Sequence, residues 1–152
     1  AGAVSGNVWK INVAAKDIDL ATAKQIARDK IAAKRYEVET GGVIANSKYY
    51  STDRDSQSAI ARATGTVSWK AAATVVKDVV QEDESTVKTT FISDPEFVDT
   101  DMDALKSAVA THVANAYAKE KELLTAINAA DNVTALRQID LTSGWAEIPS
   151  QE

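Results

Sequence analysis

Cysteine is absent from the 152 residues. That excludes disulfides, thiol catalysis and cysteine-bound zinc, and it fits a reducing compartment or indifference to redox state. Histidine occurs once, as His112. A catalytic triad or a metal site built on it would need distant carboxylates to complete it. No apolar run approaches the roughly 18 residues that read as a membrane span. The opening stretch, AGAVSGNVWKINV, lacks the charged-then-apolar pattern of a signal peptide. Gly41-Gly42 follows a helical pattern and lacks the GK[ST] signature of a phosphate loop, and no serine sits in a nucleophile elbow. The net charge of −5 argues against general affinity for nucleic acid.

What is present is ordinary for a globular chain: 45% apolar and 26% charged residues. Much of the apolar share is alanine, which favours helices and a thin core. Charge is segregated. Residues 24–35 carry Lys24, Arg28, Lys30, Lys34 and Arg35, while residues 82–103 are strongly acidic. Either these are two solvated faces, or they meet within a chain or between subunits.

The expected fold class is α+β, one domain over residues 1–152. Residues 1–16 read as an N-terminal strand or arm, in which Trp9, Ile11 and Val13 alternate with Lys10 and Asn12. Residues 17–65 read as helix, hairpin, helix. Asp19 occupies the N-cap position, Lys24, Arg28 and Arg35 lie opposite the apolar face, and Gly41-Gly42 ends the first helix. The hairpin is Val43–Ala45, a turn at Asn46-Ser47, then Lys48–Tyr50. Residues 66–100 are rich in β-branched residues and predict a β-rich insert of two to four antiparallel strands, or a β-arm that pairs with another chain. Residues 101–146 read as a long helix and a closing turn. The helix is capped by Asp101 or Thr100, and Leu105, Val109, His112, Ala116, Leu123 and Ile127 form its apolar stripe. At about 40 Å it is expected to pack along another helix, from this chain or a second copy. Trp145 is expected to fold back on the closing helix. Trp9, Trp69 and Trp145 read as core anchors rather than a stacking platform.

The candidate chemical site is YYSTDRDSQSAI, where Asp53 and Asp55 stand one residue apart. A carboxylate pair can hold Mg²⁺ or Mn²⁺, normally at the end of a buried α/β strand. The strand before this pair is short and polar. The simpler reading is a helix start: Thr52 or Asp53 as cap, with Ser56 and Gln57 reciprocating. His112 falls on the apolar stripe and reads as a histidine bonded to a neighbour or to its copy in an oligomer.

Three groups of residues together resemble a known family: Tyr50, Thr52, Asp53, Ser56 and Ile60; Ala110, His112 and Val113; and Leu136, Ile139, Asp140, Gly144 and Trp145. They match the aromatic-x-Thr-Asp-x-x-Ser-x-x-x-Ile segment, the Ala-x-His-Val helix and the Leu-x-x-Ile-Asp…Gly-Trp ending of a domain-of-unknown-function family, catalogue number four-three-seven-six. That family is found in tailed bacteriophages and prophages, often in tail-fibre or tail-associated proteins. The resemblance runs from about residue 22 to 146. It departs from the family at Ser47, where a glycine is usual, and in a longer 66–100 stretch.

The resemblance implies a non-enzymatic virion component in the tail, baseplate or fibre-attachment region, made in the host cytoplasm. It implies no catalytic residue, no cofactor and no metal, and it makes the Asp motif architectural. Expected partners are other virion proteins and further copies of the chain, with no nucleic acid and no membrane. The alternative is a tail-fibre assembly chaperone that leaves before the particle matures.

Overall fold

The structure is a computed structural model and describes residues 18–151. The expected strand around Trp9, Ile11 and Val13 lies outside the described residues. Helix α1 (Leu20–Glu39) begins where Asp19 Oδ1 accepts the Thr22 N–H at 2.7 Å. The chain turns away after Glu39 through Gly42, whose φ of +100° is open only to glycine. Strands β1 (Val43–Ala45) and β2 (Lys48–Tyr50) form the expected hairpin. Asn46 (φ 51°) and Ser47 (φ 60°) both take the left-handed conformation of a type I′ turn. Helix α2 (Arg54–Arg62) follows.

The β-rich insert is one hairpin of two long strands, β3 (Thr66–Val80) and β4 (Thr86–Asp101). Ser93-Asp94-Pro95, a sequence with turn chemistry, does not interrupt β4. The register shifts there instead: Pro95 faces Ala72 and Ile92 faces Thr74, so Ser93 and Asp94 share a single opposite residue, Ala73. Such a bulge absorbs an extra residue and tolerates a proline that cannot donate to the ladder. The acidic stretch Gln81–Ser85 is the turn. The Gln81 N–H donates to Ser85 O at 2.7 Å, and Asp83 Oδ1 accepts from the Ser85 N–H.

Helix α3 spans Met102–Ala129. Its cap is Asp101, whose Oδ1 accepts the N–H groups of Asp103 and Ala104 at 3.0 and 3.2 Å. Thr100, the other candidate, is buried and bonded to the Tyr50 hydroxyl. Helix α4 (Val133–Arg137) is capped by Asn132. Strand β5 (Ser150–Gln151) adds to β4 in parallel, giving a mixed sheet in the order β1-β2-β3-β4-β5. Two residues are too few for a period-two pattern to announce β5 in the sequence.

The chain divides into two compact units whose limits cut across the segments drawn from sequence. One holds residues 18–37 and 114–146. Here Leu123 and Ile127 of α3 pack with Ala23, Ala27 and Ile31 of α1, and Leu136 and Leu141 close the cluster. The small α1 residues permit close helix approach. The helix that α3 was expected to lie along is thus α1 of the same chain. Lys24, Arg28 and Arg35 do not lie on the far side of α1, as the spacing suggested. They sit at its seam with α3: Lys24 donates to Asn128 O at 2.9 Å, Arg28 to Asn128 Oδ1 at 2.8 Å, and Arg35 pairs with Glu120 at 3.1 Å. Their long side chains cross the boundary that their Cα positions leave open.

The other unit holds residues 38–113 and 147–151. Its core joins Tyr50, Ile60, Ala71, Met102, Leu105 and Val109, with Trp69, Val67 and Val98 partly buried against it. Val67, Trp69 and Val98 mark the sheet face turned to that core. Phe97, one residue out of phase, points away and is 71% exposed.

Candidate functional site

The motif from Tyr50 to Ile60 is bonded residue by residue into its own unit. Asp53, not Thr52, is the cap of α2: its Oδ1 accepts the Ser56 N–H at 2.7 Å and its Oδ2 accepts the Ser51 hydroxyl at 2.8 Å. These donors, the Ser56 N–H first, hold the Asp53 carboxyl below its ordinary range. Thr52 is buried and does something else. Its Oγ1 donates to Glu39 O at 2.6 Å and accepts the Gly42 N–H at 2.8 Å. It thereby joins the end of α1 to the start of α2. Tyr50 places its hydroxyl 3.1 Å from Thr100 Oγ1, and Ile60 is buried in the core.

Beside Thr52 stands a group that sequence reading missed. Glu39 is 2% exposed, and its carboxylate receives Arg54 Nε at 2.8 Å, Arg54 Nη2 at 3.1 Å and Gln57 Nε2 at 3.1 Å. Gln57 Nε2 also donates to Thr52 O at 2.7 Å. A buried carboxylate is tolerated when two-point guanidinium contact and an amide satisfy it. The available signal was Arg54 and Gln57, one helical turn apart on α2, following a glutamate that ends α1.

His112 lies with its Nε2 2.7 Å from Val38 O. It donates to a carbonyl in the last turn of α1, which also accepts the Gly41 N–H at 3.2 Å. The closing motif is a turn. Asp140 Oδ1 accepts the Thr142 and Ser143 N–H groups at 2.9 and 3.2 Å, which pulls its carboxyl down to about 2. Gly144 has a φ of +85°, and the indole of Trp145 donates to Leu141 O at 3.0 Å. Ile139 and Trp145 both pack against the cluster around Leu136.

An open cleft of about 320 Å³ borders the Asp motif, lined in part by Tyr49, Ser51, Asp53, Trp69 and Lys70. Ser51 and Asp53 face each other there, but the Ser51 hydroxyl points its proton at the capping carboxylate and His112 is bonded elsewhere. Burial, with Asp53 nearby, pushes the Tyr49 phenol up, and its hydroxyl donates to Gly41 O at 2.8 Å. Asp55 sits in the first turn of α2. Among the described residues no group of three His, Asp or Glu side chains stands close enough to hold a metal ion, and no helix is long and apolar enough to cross a membrane.

Among the described residues, the outer part of the β3–β4 hairpin is a two-stranded ribbon. Strand β2 reaches only Ala72 and Ala73 of β3, and β5 reaches only Phe91 and Ile92 of β4. Beyond these, among the described residues, the two strands pair only with each other, down to Val80 opposite Thr86. Both outer edges therefore carry backbone N–H and C=O groups with no strand beside them among the described residues. Val76 is 61% exposed, Val80 69% and Val87 48%. The cross-strand pair Asp78–Lys88 at 3.0 Å is exposed and contributes less than about 1 kcal/mol.

Fold and site together define an α+β protein whose motif residues are engaged in capping, turn and buried polar contacts. The family model described as "Domain of unknown function (DUF4376)" matches residues 22–143, and the chain belongs to that family. No curated protein and no solved structure matches it significantly.

Proposed function

We propose that this chain is a structural or assembly component of a tailed-bacteriophage virion, in the tail, baseplate or fibre-attachment region. It acts through contacts with neighbouring subunits and not through catalysis. The observation that carries the reading is the outer β3–β4 hairpin. It exposes Val76, Val80 and Val87 on a two-stranded ribbon whose edges are both open among the described residues. Strands displayed in this way are suited to pairing with or docking on another chain. The bonding of Thr52, Asp53 and His112 supports it, since each is engaged by backbone groups of its own unit.

Mass spectrometry of purified mature particles tests the reading. The protein is expected in them at a fixed ratio to other tail proteins. Its absence from mature particles, with presence on unassembled fibres in infected cells, would favour an assembly chaperone. Absence from both would overturn the proposal.

A further inference from the structure

A second surface is suited to receive the hairpin. On α3, Tyr117, Lys121, Leu124 and Asn128 recur at helical spacing and share one face. Tyr117 is 44% exposed and Leu124 36%. Cations gather round them from α1. The Arg35 guanidinium lies 4.6 Å from the centre of the Tyr117 ring. Lys24 and Arg28 reach Asn128, but the oxygens they bond there are neutral, so those contacts do not compensate their charge. The Lys121 ammonium has no hydrogen bond or ion pair among the described residues. Glu120 is engaged by Arg35. The result is a small apolar centre with a cationic rim, the usual anatomy of a docking patch.

The tip of the hairpin has the opposite character. Glu82, Asp83 and Glu84 stand at its turn, exposed, directly beyond the exposed Val80 and Val87. We infer that the β3–β4 tip of one copy docks on the α1–α3 seam of a second copy, Val76 and Val80, which share one face of the ribbon, against Tyr117 and Leu124, and the acidic turn against Lys24, Arg28 and Lys121. The inference deepens the assembly reading above and rests on it. Charge matching of this kind sets register and partner choice. Because donor and acceptor surfaces differ, the contact is heterologous, and repeated copies close into a ring or run on as a filament.

The test is charge reversal with rescue, read by sedimentation velocity of the full chain at low (about 50 mM) and high (about 500 mM) salt. The wild type is expected to associate at low salt and dissociate at high salt. Glu82→Lys with Glu84→Lys, or Lys24→Glu with Lys121→Glu, is expected to weaken association roughly tenfold or more in either case. All four changes in one chain should restore it. Leu124→Ser serves as the apolar counterpart and should weaken association while the circular dichroism spectrum stays native. A wild type that stays monomeric overturns the inference and leaves the seam to a different protein. Association that ignores the reversals, or fails to return in the four-fold variant, overturns it as well. Neither result bears on whether mature particles contain the protein, so the two proposals fail separately.

Discussion

The Thr52 hydroxyl lies 2.6 Å from the Glu39 carbonyl and receives the Gly42 N–H at 2.8 Å. One buried oxygen thus bonds the last residue of α1 and the second glycine of the pair that follows it. Thr52→Ala removes both of these buried hydrogen bonds, and is expected to cost about 1–3 kcal/mol. Thr52→Ser should recover most of it. Urea denaturation of the three proteins, compared at constant m-value, decides. An alanine variant as stable as wild type would remove Thr52 from this role.

Asp53 acts as an acceptor at a helix start. Asp53→Asn is expected to leave stability nearly unchanged, since asparagine caps about as well, whereas Asp53→Ala should cost about 0.5–2 kcal/mol. Titration calorimetry with Mg²⁺ and Mn²⁺ supplies the second readout. Tight binding that disappears in Asp53→Asn would overturn the capping account.

Leu123 and Leu124 are neighbours in sequence with opposite fates: 5% and 36% exposed. Leu123→Asp removes a core side chain and buries a charge, and is expected to cost roughly 3–5 kcal/mol or to prevent folding. Leu124→Asp should leave the melting temperature within a few degrees of wild type. Equal destabilisation by both would mean that the α1–α3 packing has been wrongly drawn.

Asp140 has its carboxyl lowered from 3.8 to about 2, chiefly by the Thr142 N–H, with further hydrogen bonds from Ser143 and the Thr142 hydroxyl. A group whose folded pKa is depressed contributes stability that is fully present above its unfolded pKa. That contribution is lost as pH falls through the folded value. The part of the stability due to Asp140 should therefore fade between about pH 4 and pH 2. Carboxyl carbon shifts followed by NMR should place its midpoint near the bottom of that window. Asp140→Asn should flatten the acid limb of the stability curve. A midpoint near 3.8 would contradict the turn geometry.

Local chemistry was readable wherever partners lie within a few residues. The Asp19 cap, the type I′ hairpin at Asn46-Ser47, the Asp53 helix start and the extent of α3 all follow from spacing and backbone preference, because their hydrogen bonds close within one turn. The capping ambiguities at Thr52/Asp53 and Thr100/Asp101 were not resolvable in that way. Thr52 is diverted by Glu39 and Gly42, and Thr100 by Tyr50, all from other elements. Nor could composition reveal that Glu39 is buried, since that depends on Arg54 and Gln57 arriving beside it.

The length of the hairpin is the clearest case of a tertiary decision. Ser-Asp-Pro carries strong turn chemistry, and read alone it ends a strand. In the folded chain β4 continues because β3 runs opposite it on both sides of the break, and a bulge at Ser93-Asp94 absorbs the mismatch. Periodicity told which face of each helix would be apolar, since one helix's geometry suffices for that. It also put Leu123 and not Leu124 on that face, but it could not tell that α1 would cover one stretch of the α3 stripe while the sheet unit covered another. Those outcomes depend on contacts between residues about a hundred positions apart, and only the packed chain brings them together.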